Sequence, residues 1–308
     1  MSSVNSAASI AAVFTLGAAA GIFVAQALLK VAPTEYSLPD QPARFALQKA
    51  EKNTRALDIE QHFDGSLLKG KRVLITGANR GLGLALATEA VRNGALVYAT
   101  CRKSSVELDN LGVEKVIVGV DVRDTSTMSA LTSGLSGVIL DVVLNNAGYF
   151  MRDRESVLEN TMDFDEELKQ IDICAVGMLR VTNAVYQSGS LQAGSKVVMI
   201  TSQGGSIQWR DVQCPNGGDY GHHMSKSAAN MAGKLIANEL GTKGISTGVF
   251  HPGFVRTEMT SKYSHIWDIE GAVVSTVAAK RVWHEVNMLS PATNGKFINC
   301  EDGLEIPW

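Results

Sequence analysis

The 308-residue sequence lacks basic blocks, paired cysteines and internal repeats. Its 28 Lys and Arg oppose 31 Asp and Glu, and no stretch interleaves basic with aromatic residues, so the sequence gives no sign of a nucleic-acid-binding surface. The 4 cysteines are scattered, with neither a CxxC pair nor the spacing of metal ligands. A chain of this length can bury a core that needs no disulfides. We therefore expect free thiols in a reducing compartment and no metal centre.

One long uncharged run stands at the N-terminus. Residues 7–29 read AASIAAVFTLGAAAGIFVAQALL, and a bilayer core of about 30 Å requires roughly 20 apolar helical residues. We expect residues 1–30 to be a transmembrane anchor. The basic residues that follow predict that the globular part faces the cytosol, or the matrix or stroma of an organelle. A secretory signal is the alternative, because AQA at 25–27 resembles a cleavage site, although the run is long and no basic residue precedes it.

The same run carries a GxxxG pair, Gly17 and Gly21, which either joins two membrane helices or only reflects many small residues.

A connector, residues 31–71, follows. Three prolines predict that it begins in an extended conformation. Its residues 43–63 alternate apolar and charged positions with helical spacing, which predicts an amphipathic helix. We expect this helix to pack on the globular domain or to lie near the membrane surface.

From residue 72 to residue 308 short apolar runs alternate with helical stretches. The runs are RVLIT, ALVYATC, KVIVGV, DVVLNNAG, KVVMITS and ISTGVFHPG. Alternation of strands and helices predicts an α/β fold with a parallel sheet covered by helices on both faces, a doubly wound, Rossmann-type single domain. Strands buried on both sides read as continuous apolar segments, as these do.

The first strand leads directly into TGANRGLG, residues 76–83, and then into a helix. Glycines at a tight turn before a helix let backbone N–H groups and the helix dipole bind a pyrophosphate. A purely structural turn is the alternative for three glycines alone. The candidate cofactor-binding residues of this turn are Gly77, Asn79, Arg80, Gly81, Leu82 and Gly83.

The end of the second strand indicates which cofactor is bound. A carboxylate there would hold the ribose 2′-hydroxyl of NAD, but Cys101 is followed by Arg102 and Lys103. Arg80 in the glycine turn adds another cation nearby. Cations without a carboxylate suit a 2′-phosphate, so we expect NADP(H).

Several motifs together resemble the short-chain dehydrogenase/reductase superfamily, in its C-factor-like, carbonyl-reductase-like branch. They are TGANRGLG, DV at 121–122, NNAG at 145–148, ITS at 200–202, SKSAAN at 225–230, HPGFVRT at 251–257 and the C-terminal NGKFINCEDGLEIPW. The resemblance implies further cofactor contacts, at the adenine, at the turn beside the sheet and at the nicotinamide. These positions are Asp121, Val122, Asn145, Asn146, Ala147, Gly148, Pro252, Gly253, Val255 and Thr257.

The resemblance also implies hydride transfer between nicotinamide and a carbonyl or alcohol, with a proton relay of Ser, Tyr, Lys and Asn. Ser202 occupies the Ser position, and Lys226 occupies the Lys position, where it would also bind the cofactor ribose. The Tyr position, four residues before Lys226, is His222. The Asn position is Cys174. Two of the four relay positions are therefore occupied by other residue types.

His222 can be read in two ways. An imidazole can serve as acid or base near neutral pH, although Lys226 would disfavour its charged form and its reach is shorter than that of a phenol. Alternatively, His222 only fills the space of the tyrosine and hydrogen-bonds Ser202 or the backbone. Tyr220 is a possible substitute donor, but it precedes the expected helix and stands two residues from His222, on another side. We expect His223 to be solvated.

Two functions follow. The first is a membrane-tethered NADP-dependent oxidoreductase of the carbonyl reductase or alcohol dehydrogenase type, with an atypical proton donor and a small-molecule substrate. The second is a catalytically impaired protein that binds the cofactor or acts as a structural subunit of a membrane-associated assembly, since function resides in the site and not in the fold. Homo-oligomers are also possible. We expect residues 208–214 and 258–271, with aromatic residues in both, to line the pocket.

Overall fold

A computed structural model describes residues 41–151 and 155–308, with side chains from residue 46 onward. The described residues belong to one compact unit. The expected membrane anchor at residues 7–29, its GxxxG pair and the first part of the connector lie outside the described residues. Within the described ranges, no helix has both the length and the apolar character needed to cross a bilayer.

The centre of the fold is a seven-stranded parallel sheet with the order β3-β2-β1-β4-β5-β6-β9. A pair of short strands, β7 and β8, lies apart from it. The bounds are β1 Arg72–Thr76, β2 Leu96–Cys101, β3 Lys115–Val118, β4 Val142–Asn145, β5 Lys196–Ile200, β6 Ser246–His251, β7 Val255–Arg256, β8 Val273–Val274 and β9 Phe297–Asn299. The order reverses between β1 and β4, and the crevice at the carboxyl ends of the strands there is where such sheets bind ligands.

Helices connect these strands. Their bounds are α1 Gln41–Ala50, α2 Thr54–Leu57, α3 Gly81–Arg92, α4 Val106–Asp109, α5 Met128–Gly134, α6 Phe164–Ile171, α7 Gly177–Gln187, α8 Arg210–Gln213, α9 Tyr220–Gly241 and α10 Ser275–Met288. A π-helical turn, Asp172–Val176, joins α6 to α7. Helix α9 is the long helix that carries the predicted catalytic positions.

Hydrophobic side chains fill both faces of the sheet, as the apolar strands predicted. On one face Leu86 of α3 and Trp283 of α10 are fully buried. On the other face Leu131 of α5, Val181 of α7 and Ile236 of α9 are buried. The doubly wound, Rossmann-type sheet expected from the sequence is thereby confirmed. The short edge strand β9 was not predicted as a strand.

The connector packs on the domain from Gln48 to the first strand. Ala56 and Ile59 are buried, and Arg55 forms an ion pair with Glu285 of α10. The Gln48 amide donates to Asp302 over 2.8 Å. The sequence left open whether the amphipathic stretch packs on the globular domain or lies near the membrane surface. The structure shows that its described part contacts the domain.

The four cysteines are free, as the scattered positions predicted. Within the described residues no group of three or more His, Cys, Asp or Glu side chains is arranged to hold a metal ion.

Candidate active site

The glycine turn between β1 and α3 forms a cradle for a dinucleotide. Gly77 and Gly81 have positive φ angles of 66° and 55°, a conformation that favours glycine. A Cβ atom at Gly83 would lie 2.1 Å from the carbonyl oxygen of Gly77. No side chain caps the N-terminus of α3, so its first N–H groups are available to a pyrophosphate. The turn therefore fits the dinucleotide that the sequence predicted.

The NNAG turn after β4 supports this cradle. The hydroxyl of Thr76 accepts hydrogen bonds from the backbone N–H groups of Asn146 and Ala147, over 3.0 and 2.9 Å. The Asn146 side chain donates to the carbonyl of Thr76 over 2.9 Å. The Asn145 side chain is fully buried and donates to Thr182 over 3.0 Å. Asn145 therefore holds the sheet to α7, while the turn after it shapes the cofactor side.

The side chains predicted to select the cofactor lie at the carboxyl ends of β1 and β2. Arg102 and Lys103 are exposed, and neither forms an ion pair with a described residue. Arg80 contacts Glu258 over 2.5 Å, with both side chains largely exposed. Asp121 accepts from the backbone N–H of Arg123 over 3.0 Å. An exposed cation pair at this edge is compatible with a 2′-phosphate.

The loop after β6 brings the predicted nicotinamide end next to the glycine turn. Gly253 has a φ of 93°, and the position of a Cβ atom on Gly81 would lie 3.8 Å from Thr257. The carbonyl of Val255 accepts from the Thr260 hydroxyl over 2.6 Å. Pro252 is buried at the start of this loop. The two segments that would enclose the cofactor are therefore adjacent.

Helix α9 packs closely on the end of β5 because two glycines follow Ser202. A Cβ atom on Gly205 would lie 2.7 Å from the backbone of Lys226. The Ser227 hydroxyl donates to the carbonyl of Gly205 over 3.0 Å, and Thr201 donates to Asn230 over 2.7 Å. This packing places Lys226, which is buried, beside the segment that carries Ser202. The ammonium of Lys226 has no hydrogen-bond or ion-pair partner in the described part of the chain.

His222 lies next to Ser202. The Nε2 atom of His222 and the Oγ atom of Ser202 are 3.1 and 3.2 Å from the point that a Cβ atom on Gly204 would occupy. They make no hydrogen bond to each other, and Ser202 accepts from the N–H of Gly204 over 3.0 Å. The Nδ1 atom of His222 is buried and has no hydrogen-bond partner among the residues that the structure describes. Both side chains therefore lie against Gly204, one on the strand side and one on the helix side.

Burial lowers the pKa of His222 well below its ordinary value, and the nearby charge of Lys226 lowers it further. Smaller contributions come from His223, Lys262 and Arg210. The ring is therefore a neutral imidazole at neutral pH, with one nitrogen that donates and one that accepts. A neutral imidazole can polarise a carbonyl by hydrogen bonding, but it is a weak acid.

Cys174 lies in the π-helical turn and is fully buried. Its Sγ accepts from the backbone N–H of Tyr149 over 3.4 Å and donates to the carbonyl of Tyr149 over 3.3 Å. Both polar contacts of the thiol thus go to the backbone beside the NNAG turn. The Cys174 thiol therefore holds the backbone of Tyr149, directly after the NNAG turn, against the π-helical turn.

Three minor expectations are wrong. Tyr220 is the first residue of α9 and does not precede it, and its hydroxyl lies near Gly217. His223 is not solvated, because its Nδ1 is 3.0 Å from the carbonyl oxygen of Gly204. Trp209 does not line the pocket, since it is buried in a cluster with Val249, Phe297 and Ile306. For His223 and Trp209, a tertiary contact holds a side chain whose surroundings the sequence position alone did not determine.

The segment 258–271, which the sequence predicted to line the pocket, contributes Lys262 and Tyr263, whereas sequence reasoning missed Phe150 and Asp219. The Phe150 ring stacks on His222, with 4.2 Å between centroids and 30° between planes. The Lys262 ammonium lies 3.9 Å from the Phe150 centroid and pairs with Asp219 over 3.0 Å. Asp219 also accepts from the Tyr263 hydroxyl over 2.5 Å. Of the two missed residues, Phe150 offered a signal in the sequence, because it stands two residues after NNAG.

Comparison with known proteins identifies the family. The family model for short chain dehydrogenases matches residues 71–266. The chain therefore belongs to the short-chain dehydrogenase family, whose members are oxidoreductases that use a nicotinamide cofactor.

Individual relatives agree. The chain is 32% identical over 240 residues to 1-hydroxy-2-glutathionyl-2-methyl-3-butene dehydrogenase of Rhodococcus sp. strain AD45, covering 77% of this chain and 99% of that protein. It is 28% identical over 181 residues to the C-signal protein of Myxococcus xanthus, covering 59% of this chain and 100% of that one. The crystal structure of NADPH-bound carbonyl reductase from chicken fatty liver matches 78% of this chain and 100% of its own, with a TM-score of 0.65 and 23% identity. That last likeness concerns the fold.

Proposed function

We propose that this chain is an NADP-dependent oxidoreductase that transfers hydride between the nicotinamide and a small carbonyl or alcohol, with His222 in place of the family's tyrosine. The carrying observation is that Ser202 and His222 meet at Gly204, and that Lys226 packs on Gly205 beside them. The glycine turn with free N–H groups follows β1 of the same parallel sheet whose strand β5 leads into Ser202. A cofactor-binding turn and groups able to handle a proton therefore lie at the carboxyl ends of one sheet, as a reductase requires.

Each side chain has a distinct part in this proposal. The Ser202 hydroxyl and the Nε2 side of His222 would hold the substrate oxygen between them. The positive charge of Lys226 would stabilise the alkoxide that forms as the carbonyl is reduced. Because the imidazole is neutral, the proton would reach the alkoxide through a water in contact with His222 or Lys226. When bound, the nicotinamide supplies or accepts the hydride.

NADP(H) is favoured over NAD(H) by charge. Arg102, Lys103 and Arg80 supply cations where a 2′-phosphate would lie, and residues 101–103 at the end of β2 include no carboxylate to hold a ribose hydroxyl. Glu258 would have to release Arg80 for it to contact that phosphate. NADPH is the cofactor in the structure of the chicken carbonyl reductase.

A second candidate is a cofactor-binding scaffold without turnover. It is favoured by the state of the relay, because the pKa of His222 is depressed, its ring is covered by Phe150, and the Cys174 thiol is engaged by the backbone. Such a protein would retain the cofactor site and present the domain to a membrane assembly.

NADPH binding and turnover distinguish the two. We would titrate the full-length protein with NADPH by fluorescence and then measure NADPH oxidation with a panel of aldehydes and diketones. The reductase proposal predicts turnover that Lys226→Ala abolishes. The scaffold predicts binding without turnover, and a gain on the order of a hundredfold over background in His222→Tyr, the usual contribution of a positioned general acid. Absence of NADPH binding contradicts both.

We also propose that residues 7–29 tether the protein to a membrane, with the domain on the cytosolic, matrix or stromal side. The support is the length of the uncharged run and the basic residues after it. Alkaline carbonate should leave the full-length protein in the membrane pellet and release a variant that lacks residues 1–30. Release of both would contradict the tether.

A further inference from the structure

Asp219 occupies the N-cap position of α9 but does not act as a cap. An aspartate at this position ordinarily accepts from N–H groups of the first helical turn, yet Asp219 makes no such bond. The N–H of Gly221 donates to the buried Glu155 instead, over 2.8 Å. Asp219 also has a φ of 49°, a left-handed conformation that few non-glycine residues adopt and that aspartate tolerates. The carboxylate of Asp219 can therefore bind groups outside the first turn of α9.

The carboxylate of Asp219 holds the segment 258–266. One oxygen pairs with Lys262 over 3.0 Å and the other accepts from the Tyr263 hydroxyl over 2.5 Å. The Lys262 and Asp219 side chains are only 17% and 14% exposed, so water screens the pair less than a surface pair. This contact fastens the segment after β7 to the helix that carries His222.

Lys262 continues the connection to the site. Its ammonium lies 3.9 Å from the centre of the Phe150 ring, a cation–π contact, and donates to the carbonyl of Met151 over 3.2 Å. Phe150 in turn stacks on His222. Asp219, Lys262, Phe150 and His222 therefore form one continuous series of contacts.

The imidazole depends on this packing for its orientation. Neither ring nitrogen of His222 has a hydrogen-bond partner among the described residues, whereas functional histidines are usually oriented by one. The His222 ring instead contacts two other rings. Phe150 stacks on it, and His223 meets it edge-on with 5.5 Å between centroids. A change in the position of Phe150 would therefore turn the ring relative to Ser202.

We propose that Asp219 is a positioning residue of the site. Through Lys262 and Tyr263 it holds the 258–266 segment in place, and through Lys262 it keeps Phe150 stacked on His222. The catalytic consequence rests on the proposed function, but the contact itself does not.

The test observes the His222 ring directly by NMR. The full-length protein, purified in detergent, carries labelled histidine, and the His222 signal is assigned by its loss in His222→Gln. An aromatic ring stacked at this distance shifts the imidazole protons upfield, and Phe150→Leu gives the unstacked position. Asp219→Asn, which retains tolerance of the left-handed conformation, should move the signal toward that of Phe150→Leu. Hydrogen exchange of residues 258–266 should become about tenfold faster, as expected for loss of a charge-assisted contact.

Lys262→Met removes the other partner of the same ion pair. It should reproduce both the shift of the His222 signal and the faster hydrogen exchange of residues 258–266. Asp268→Asn is the matched control, because Asp268 pairs with Arg256 in the neighbouring stretch over 2.6 Å while its side chain is 89% exposed. It should change neither the signal nor the exchange. The proposal is overturned if Asp219→Asn and Lys262→Met leave the His222 signal at its wild-type position, or if Asp268→Asn moves it equally.

Turnover is measured separately. If the wild type reduces no carbonyl but the His222 signal moves as expected, the proposed function fails and the positioning role stands. If the wild type is active, Asp219→Asn should lower kcat by about tenfold and leave NADPH affinity unchanged. Unchanged kcat in a variant whose His222 signal has moved would show that the ring position has no catalytic role and would overturn the catalytic part.

Discussion

At the scale of single residues, the proposed chemistry depends on the charge state of His222. Burial and the charge of Lys226 hold its pKa well below the ordinary value, so the ring offers hydrogen bonding but little acidity. A tyrosine beside the same lysine behaves differently, because a positive neighbour favours the phenolate and makes a phenol more acidic. In the proposed function, His222 therefore stands where a tyrosine would be made more acidic by Lys226, and its own charged form is disfavoured by that lysine.

The depressed pKa of His222 predicts a loss of stability in acid. The folded protein keeps the ring neutral where the unfolded chain protonates it, at about pH 6.5. Stability from this group is therefore complete above that pH and falls as the pH drops below it, by at most about 1.4 kcal/mol per pH unit. Denaturant unfolding between pH 7.5 and 5 should show a smaller decline for His222→Gln. Parallel curves for the two proteins would contradict the depressed pKa.

Arg102 should determine cofactor preference. Arg102→Ala should weaken NADPH binding by about tenfold, the effect of losing one exposed charge-assisted contact, and leave NADH binding unchanged. Fluorescence titration with both cofactors measures this. Arg72→Ala is the control, because Arg72 is exposed and lies at the amino end of β1, whereas the cofactor site lies at the carboxyl ends of the strands. Equal weakening of both cofactors would show that Arg102 does not contact the 2′-phosphate.

At the scale of elements, the site depends on how closely α9 approaches the end of β5. Two adjacent glycines, Gly204 and Gly205, permit this approach. The hydroxyls of Thr201 and Ser227 then join strand and helix. Because Ser202 and Lys226 lie on different elements, their proximity is a consequence of this one packing contact.

Gly205→Ala should therefore destabilise the protein by about 1–3 kcal/mol, because the new methyl group would overlap the backbone of Lys226 and the Asn230 amide. Gly148→Ala is the control, since a Cβ atom there would lie no closer than 3.6 Å to any heavy atom of the described residues beyond its two chain neighbours. Chemical denaturation without cofactor compares the two. Equal midpoints would contradict the close approach.

At the scale of the whole molecule, the described part of the connector from Gln48 onward belongs to the fold. Ile59 is 2% exposed, and Glu60 pairs with Lys280 of α10. A protein truncated after the connector would expose this surface of α10. The globular part therefore extends upstream of the first strand.

Ile59→Ala should lower the free energy of unfolding by about 2–4 kcal/mol, through lost burial and the cavity that remains. Leu57→Ala, two residues away and 44% exposed, should change it by less than about 0.5 kcal/mol. Thermal or chemical unfolding of the full-length variants measures both. A small effect at Ile59 would show that the connector is not bound to the domain in solution.

The sequence by itself determined the sheet, the glycine cradle and the family. Strand periodicity and the spacing of Gly77, Gly81 and Gly83 are local properties, expressed within a few residues of the chain. The same holds for the four-residue spacing between His222 and Lys226, on which the prediction for His222 rests. Such features need no knowledge of what lies opposite them in space.

Only the tertiary structure decided how the site is covered and what the connector contacts. Asp219 and Lys262 are 43 residues apart, and Phe150 is more distant from both. Their contact depends on where β4, α9 and the loop after β7 meet in space, which no periodicity encodes. The low pKa of His222 has the same origin, because burial and neighbouring charge are properties of the packed molecule and not of the chain.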